Sequence, residues 1–321
     1  MSAQQNVVHI GFPKTGTTTL QETFFNNHPQ INYLGSPYKS QEMLVAMEVK
    51  LTKNILSYNN NSEIIKNIFL NELSKNSDKK KNIKLLSYEG LSFQPSKTPD
   101  RATIAKRIKE VFGADTKIII TIRNQRNFCL SHYGQDVRNG TYLNLTNYIK
   151  YLLDYYESYS YLSLLDYLPL IKYYEELFKK ENVLVLCYED LSSNPNIFFS
   201  RISSFLNIDK IKYTKRFNKS LGSLSLFLQR IFNRIITFDN GRPLYAHGVR
   251  LPGKVGHSLR GSYKYLIYRI ISFLDPILPF NKKIKFPEKH LKNFDQIFGD
   301  NNKKISENYK LKLKDYDYPG L

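Results

Sequence analysis

Four short runs of apolar, mostly β-branched residues stand out along the chain, at residues 7–10, 83–87, 117–122 and 183–186. Each run is almost continuously apolar, which is typical of a strand buried on both faces of a parallel sheet. Between these runs lie longer segments with helical periodicity, at residues 17–27, 104–112, 127–139 and 161–179. The alternation predicts an α/β protein whose parallel sheet is covered by helices on both faces.

The segments outside this alternation predict appended helices and loops. Residues from about 40 to 82 are rich in Asn and Lys with weak periodicity, and we expect a peripheral helical insertion there. Apolar residues at helical spacing from Leu224 to Ile235 predict an amphipathic helix. Glycines, prolines and basic residues from Asp239 to Gly261 predict a basic loop. We expect one domain over residues 1–321, extended by basic helices and loops from about residue 210 to residue 321.

The composition excludes a small disulfide scaffold and a wholly disordered chain. The 321 residues are 41% hydrophobic and include 24 Tyr and 20 Phe, which is ample material for a core. The two cysteines, Cys129 and Cys187, each lie in an apolar run, and neither belongs to a metal-binding spacing. We therefore expect two reduced, buried cysteines, no metal site, and a cytoplasmic protein.

The chain is strongly basic, with a formal net charge of +19, and most of this charge lies in its last third. A polyanionic or phosphorylated partner is one explanation, and a generally Lys-rich composition is the other. Basicity alone does not indicate nucleic-acid binding, and we expect none. The segment from Tyr263 to Phe280 includes Lys264, Arg269 and Asp275, so it is suited to lie against a membrane and not to cross one.

The most informative segment begins where the first apolar run enters Gly11, and it continues through Lys14 and Gly16 into three threonines. Backbone N–H groups at such a helix start, together with the hydroxyls of Thr17 and Thr18, form a cradle for phosphate or sulfate. An ATPase loop has Lys directly after its second glycine, whereas Thr17 occupies that position here. This displacement weakens a kinase or NTPase interpretation.

Three segments resemble sulfotransferases that use 3′-phosphoadenosine 5′-phosphosulfate (PAPS). The stretch from Pro13 to Leu20 is similar to their 5′-phosphosulfate loop. Residues 118–133 resemble their 3′-phosphate element, in which a strand-end arginine, here Arg123, is followed eight residues later by a serine, here Ser131. Residues 183–195 resemble a late strand followed by a Tyr-Glu-Asp-Leu turn and an Asn-Pro helix start, for which capping is the expected role.

The resemblance implies a three-layer α/β/α fold with a central parallel sheet, the P-loop nucleotide hydrolase-like sulfotransferase fold. It implies PAPS as cosubstrate, 3′-phosphoadenosine 5′-phosphate (PAP) as product, and no metal. The 3′-phosphate would be held by Arg123 and Ser131. The 5′-phosphosulfate would be held by the loop residues Pro13, Lys14, Thr15, Gly16, Thr17 and Thr18.

The sequence also departs from the family pattern. Gln125 stands where proline usually follows Arg-Asn, and the Arg-Lys-Gly motif of cytosolic small-molecule sulfotransferases is absent. The chain is therefore more similar to bacterial and carbohydrate-type sulfotransferases, and we expect a glycan or glycolipid acceptor. Further contacts to the nucleotide are expected from Lys219, Ser220 and Arg250.

A carboxylate follows the second apolar run, because residues 83–88 lead directly into Glu89 and Gly90. Ligands of open α/β sheets bind at the carboxyl edge of the strands, where Glu89 is expected. By resemblance, Glu89 occupies the position of the residue that takes the acceptor proton. The alternative is that Glu89 only caps the turn at Gly90.

Three functions follow from these features. The leading hypothesis is a PAPS-dependent O-sulfotransferase in which Lys14 and Glu89 are catalytic. The alternatives are a nucleotide kinase with a degenerate phosphate loop and a non-catalytic polyanion-binding protein on the same fold.

Overall fold

The computed structural model describes residues 5–35, 41–46, 51–52, 58, 62–74, 81–93, 100–156, 161–211, 222–236, 242–246, 249–255, 266, 269–271, 273–276 and 282–321. The chain forms two compact units. The first unit takes in Met1–Asn124, Asp166–Phe217 and Asn301–Asp317, and the second takes in Gln125–Leu165, Asn218–Asp300 and Tyr318–Leu321. That these units make up one domain stays a prediction.

The strands are β1 Gln5–His9, β2 Ile31–Tyr33, β3 Ile83–Ser87, β4 Lys117–Ile122, β5 Val183–Cys187, β6 Arg242–Ala246 and β7 Val249–Val255. The main helices are α1 Thr17–Thr19, which continues as wider turns over Leu20–Phe25, α2 Gln41–Val45, α3 Ser62–Ser74, α4 Arg101–Phe112, α5 Gln125–Asn139, α6 Leu145–Asp154, α7 Tyr167–Phe178, α8 Tyr188–Ser193, α9 Pro195–Leu206, α10 Ser223–Ile236 and α11 Leu291–Asn308. Short 3₁₀ turns occur at Glu89–Leu91, Tyr161–Leu165, Lys180–Asn182, Glu288–His290 and Leu313–Tyr316.

The first unit contains a five-stranded sheet in the order β2-β3-β1-β4-β5, and all of its neighbouring strands are parallel. The four apolar runs of the sequence form its four long strands, the inner strands β3, β1 and β4 and the edge strand β5, so the predicted α/β class is confirmed. Strand β2 was not predicted, because three residues are too few to show a period. It pairs only with β3, at the edge of the sheet.

Helices cover both faces of this sheet. Alternate strand residues such as Val7 and Leu85 share one core cluster with α1 and its continuation and with α9, where the rings of Phe24 and Phe199 stack at 4.8 Å between centroids. Their neighbours, such as Val8, point to the opposite face, since successive side chains of a strand alternate. There α7 packs against β4 and β5, and α4 packs against α7. Each buried aliphatic or aromatic side chain stabilises such a core by about 1.5–3 kcal/mol.

The second unit is built around α5, α6 and α10. Between α5 and α6, the buried Tyr148 hydroxyl donates to a carboxylate oxygen of Asp136 at 2.6 Å. Helix α10 lies against α5, where the Asn233 side-chain amide donates to the carbonyls of Val137 at 2.6 Å and Thr141 at 2.8 Å. The amphipathic helix predicted from Leu224 to Ile235 is confirmed as α10. Among the described residues, none of the helices has the length and apolar character required to cross a membrane.

The basic loop predicted from Asp239 to Gly261 is wrong in its central part. Strands β6 and β7 form an antiparallel hairpin there, with Ala246 opposite Val249. Only two residues connect these strands, as is common in hairpins. The prolines and glycines that suggested a loop are compatible with this isolated pair, which has edges on both sides and a shift of register after Pro243.

Candidate active site

Four connections leave the carboxyl edge of the parallel sheet of the first unit. The central strand β1 leads into the Gly-rich loop, and its neighbours β3 and β4 lead into Glu89 and Arg123. Strand β5 leads into α8 at Tyr188. Because parallel strands end at one edge, the three motifs of the sequence lie on the same side of the sheet. The strand order reverses beside β1, and such a switch point is where α/β sheets bind ligands.

The phosphate-type loop is held in shape by its own threonines. The hydroxyls of Thr15 and Thr17 both donate to the carbonyl of Phe12, the second at 3.3 Å. Lys14 has a φ of 64° and Gly16 has a φ of 79°, so the backbone turns twice through the left-handed region. The first helical hydrogen bond runs from the Leu20 N–H to the Gly16 carbonyl at 3.0 Å. The N–H groups of Thr17–Thr19 therefore form the open start of the helix, as expected of an anion cradle.

Gly16 is required both by conformation and by packing. A Cβ atom at this position would lie 2.6 Å from a methyl carbon of Leu191 and 3.3 Å from the ring of Tyr188. A left-handed φ is also unfavourable for residues that carry a Cβ. The Tyr-Glu-Asp-Leu turn therefore packs directly on the loop and limits position 16 to glycine.

Arg123 connects the loop with two other elements. Its Nη1 donates to the Lys14 carbonyl at 2.6 Å, and its guanidinium carbon lies 4.5 Å from the centroid of the Tyr188 ring. Its own carbonyl accepts a hydrogen bond of 2.7 Å from the Tyr167 hydroxyl. The Nε atom of Arg123 is buried and has no hydrogen-bond partner in the described part of the chain. An arginine held in this way, with a donor unused, fits an anion-binding role.

Glu89 lies in the 3₁₀ turn after β3, beside the loop. The turn is closed by the Glu89 carbonyl, which accepts from the N–H groups of Ser92 and Phe93, each at 3.2 Å. The Ser92 hydroxyl also donates to the Gly11 carbonyl at 3.2 Å and so ties this turn to the loop. Burial raises the pKa of the Glu89 carboxyl, and the positive charge of Lys14 partly opposes that increase. A carboxylate with a raised pKa is a stronger base than a free one, which suits a group that takes a proton.

Below the site, β1 contributes a fully buried histidine. His9 Nδ1 lies 2.7 Å from the Ser87 hydroxyl, and Nε2 lies 3.0 Å from the Thr121 hydroxyl. Burial lowers the pKa of His9 to about 3, so its ring is neutral. His9 therefore links β1 to β3 and β4 by neutral hydrogen bonds just before the loop begins.

Asn124, directly after Arg123, is fixed by two different elements. Its backbone N–H donates to the Glu189 carboxylate at 3.0 Å. Its side-chain amide donates to the carbonyls of Tyr316 at 2.9 Å and Asp317 at 2.7 Å. The Tyr316 hydroxyl in turn donates to Asp190 at 2.8 Å. The turn near the C-terminus thus holds both the 3′-phosphate element and the Tyr-Glu-Asp-Leu segment.

The sequence analysis did not identify all of the residues that hold this site. The expected capping role is confirmed for Pro195, which opens α9, where the Asn194 side chain accepts from the Ile197 N–H at 3.3 Å. It is wrong for the acidic side chains, since Glu189 and Asp190 accept hydrogen bonds from Asn124 and Tyr316 and make no cap. The contacts of Tyr188 and Tyr316 were not foreseen. Tyr188 could have been suspected from its place next to a strand end, whereas nothing in the local sequence of Tyr316 indicates its long-range contact.

The remaining predicted residues lie elsewhere. Ser131 is half-buried on α5 in the second unit, and its pairing with Arg123 on one phosphate stays a prediction. Lys219 and Ser220 lie outside the described residues, and Arg250 is described only as backbone of β7. Thr18 is exposed at the start of the helix, and Pro13 is buried in the loop. No cluster of metal-ligating side chains is found among the residues that the structure describes.

Comparisons with known proteins identify the family to which this chain belongs. The family model described as "Sulfotransferase domain" matches residues 4–220. Among solved structures, a sulfotransferase from Alicyclobacillus acidocaldarius is 16% identical with a TM-score of 0.46, covering 75% of this chain and 98% of that one. The mouse sulfotransferase SULT7A1 complexed with PAP is 15% identical with a TM-score of 0.43, covering 96% and 89%. A search of curated proteins gave no match.

Proposed function

Because this chain belongs to the sulfotransferase domain family, we propose that it transfers the sulfuryl group of PAPS to a hydroxyl group of an acceptor. The observation that carries the proposal is the phosphate-type loop, whose left-handed turns at Lys14 and Gly16 open a helix beside the turn that holds Glu89. The acceptor is a glycan or a glycolipid, on the strength of the resemblance to carbohydrate-type enzymes. A cytoplasmic location and peripheral contact with a membrane belong to the same proposal.

The loop from Pro13 to Thr18 binds the 5′-phosphosulfate of PAPS. Its left-handed turns expose backbone N–H groups at a helix start, where the helix dipole favours an anion. Arg123 binds the 3′-phosphate with the help of Ser131. The unused Nε of Arg123 supports this assignment, since a phosphate oxygen would satisfy it.

Glu89 and Lys14 have different roles in the reaction: Glu89 accepts a proton, and Lys14 stabilises the leaving group. The acceptor oxygen attacks sulfur while Glu89 takes its proton, and a new S–O bond forms. The bond between sulfur and the oxygen of the 5′-phosphate breaks, and its electron pair stays on that oxygen, next to the Lys14 ammonium. PAP then leaves with the additional negative charge. The proton thus ends on Glu89, the sulfuryl group on the acceptor and the electron pair on the 5′-phosphate oxygen.

A nucleotide kinase is the alternative reaction on the same loop. It would need a lysine after Gly16, where this chain has Thr17, and it would require ATP with Mg²⁺. A non-catalytic polyanion-binding protein would gain nothing from a carboxylate in a turn tied to the anion-binding loop. We therefore favour the sulfotransferase over both.

The test compares ligands first and turnover second. PAP should raise the thermal midpoint, and ATP with Mg²⁺ should not. With labelled PAPS and a panel of glycans and glycolipids, Lys14→Ala should lower turnover by roughly 10²–10³, the effect of removing one preorganised donor. Lys172→Ala is the control, because Lys172 is an exposed lysine paired with Glu175 on the surface of α7. Stabilisation by ATP with Mg²⁺ alone would contradict the proposal, as would full activity of Lys14→Ala.

A further inference from the structure

Helix α10 in the second unit is oriented with its polar side inward. Ser225, Gln229 and Asn233, which recur every four residues, are at most 2% exposed. The Gln229 amide donates to Asn233 at 3.2 Å, and Asn233 bonds the backbone of the neighbouring helix α5 and the residues after it. The side of α10 that faces the protein is therefore held by hydrogen bonds.

The opposite side of α10 carries exposed apolar residues. Phe227, which is 50% exposed, and Ile231, which is 39% exposed, lie one turn apart on this side. Phe232 is 40% exposed and lies about 100° around the helix from Ile231. An amphipathic helix of a globular protein normally buries such residues and exposes its polar ones. Keeping two phenylalanines and an isoleucine exposed on one helix is unfavourable in water, so these side chains are expected to have an apolar partner.

A second group of exposed apolar side chains is formed by Leu266, Ile270 and Phe273, each of which lies in helical backbone. Leu266 is 53% exposed, Ile270 is 50% exposed and Phe273 is 80% exposed. Their spacing of four and three residues places them on one side of a helix. Ile271, on the other side, is only 4% exposed.

The two segments are joined at the start of α10. The Gly222 N–H donates to the Asp275 carboxylate at 2.9 Å, and the Ser223 N–H donates to the Lys282 carbonyl at 2.7 Å. The end of the second segment therefore lies at the beginning of the first.

The charges beside these apolar sides are positive. Arg234 and Arg269 are exposed on the helices, and Lys282, Lys283 and Lys285 are exposed after them. Asp275 is the single acidic residue from Gly222 to Ile236 and from Tyr263 to Lys285, and it already accepts the Gly222 hydrogen bond.

We propose that the exposed apolar residues of α10, together with Leu266, Ile270 and Phe273, dock onto the surface of an anionic lipid membrane. Apolar side chains flanked by arginine and lysine insert at the boundary between lipid headgroups and acyl chains. Each nearby cation adds electrostatic attraction to anionic lipid. A second copy of this chain fits less well, because it would bring the same positive charges against each other. The docking assigns a surface to the membrane contact of the proposed function, and it does not depend on sulfuryl transfer.

The experiment is flotation of the full chain with vesicles. Vesicles of equal parts phosphatidylglycerol and phosphatidylcholine should carry the protein, pure phosphatidylcholine should carry much less, and high salt should weaken the binding. Phe227→Ser and Phe273→Ser should each lower the vesicle affinity roughly tenfold, as expected for the loss of one large inserted side chain. Phe273 is the most exposed of these residues, so its replacement keeps the test valid if Phe227→Ser does not fold.

Ile64→Ser is the matched control, since Ile64 is 49% exposed on α3 of the first unit. It should bind vesicles like the parent protein. Three outcomes would overturn the proposal: no binding of the parent to anionic vesicles, equal loss in Ile64→Ser, or self-association in solution that Phe227→Ser abolishes while vesicle binding is unchanged. Because vesicle binding needs neither PAPS nor an acceptor, failure here would leave the proposed reaction untouched.

Discussion

At the scale of single residues, burial and a nearby positive charge have opposite effects on the ionisation of the candidate catalytic carboxyl. Burial favours the neutral form of Glu89, and the nearby Lys14 favours its anion. Arg123 has part of its guanidinium engaged by the Lys14 carbonyl and has its Nε unused. The site therefore has one group suited to proton transfer, in the turn beside the loop, and one suited to anion binding, bonded to the loop itself.

The residue-scale prediction concerns Glu89→Gln. Glutamine keeps the shape but cannot take a proton, so turnover should fall by about 10²–10⁴ while PAP affinity changes by no more than roughly threefold. Because the pKa of Glu89 is raised above its ordinary value of 4.5, the parent rate should fall on the acid side at a pH above that value, and the variant should lose this limb.

Rate profiles against pH, together with melting curves, distinguish the roles of Glu89. Glu22→Gln is the control, as it removes an exposed carboxylate from the helix that follows the loop. An unchanged profile with full activity in Glu89→Gln would show that Glu89 only supports the turn at Gly90. A lower melting temperature, with activity reduced in proportion, would show a structural carboxylate.

At the scale of elements, the turn at Leu313–Tyr316 supports the candidate site although it lies near the end of the chain. The family model ends at residue 220. Yet Asn124 donates to the carbonyls of Tyr316 and Asp317, and Tyr316 reaches Asp190. A turn outside the matched domain thus fixes the backbone next to Arg123, and we expect it to affect nucleotide binding.

The element-scale prediction is that Asn124→Ala weakens both stability and PAP binding. Two carbonyls lose a donor, which should lower the free energy of unfolding by about 1–3 kcal/mol. PAP affinity should fall by roughly tenfold because Arg123 loses the support of its neighbour. Calorimetry with PAP and denaturant unfolding measure the two effects.

Asn182→Ala serves as the comparison for this prediction. Asn182 makes one similar bond, to the Phe178 carbonyl at 2.9 Å, but it lies at the amino end of β5, away from the site. It should lose stability and keep PAP affinity. Equal loss of affinity in both variants would mean that Asn124 acts only through general stability.

At the scale of the whole molecule, the parallel sheet of the first unit is held in register partly by a histidine that cannot be charged. His9 bridges Ser87 and Thr121, and burial lowers its pKa to about 3 from 6.5. Below about pH 6.5 the unfolded chain takes up a proton that the folded chain does not. The stability from His9 is therefore complete above that pH and is lost progressively as the pH falls toward 3.

The whole-molecule prediction is a difference in pH dependence. Below the unfolded pKa the contribution of His9 should fall by about 1.4 kcal/mol for each pH unit. The parent should therefore lose more stability than His9→Asn between about pH 7.5 and about pH 5.5 in urea unfolding, since carboxylates titrate alike in both. Parallel slopes for the two proteins would contradict the assignment of a neutral, buried His9.

The sequence by itself determined the elements whose signal is local. The long strands were readable because a strand buried on both faces is continuously apolar, and the phosphate-type loop was readable because glycine and threonine at a helix start have a direct chemical meaning. Glu89 and Arg123 followed from their places at strand ends. Tertiary structure was needed for β2, whose three residues show no period, and for the hairpin β6–β7, whose pairing overrides its prolines and glycines.

Only the tertiary structure decided the long-range contacts that hold the site. Leu191 packs on Gly16, Tyr188 stacks on Arg123, and Tyr316 meets the residue after Arg123 from far along the chain. The inward polar side of α10 was also hidden, since periodicity shows that a helix has two sides and not which of them faces the protein. These features depend on which surfaces pack together in the folded chain, and the local sequence does not indicate which distant residues will be in contact.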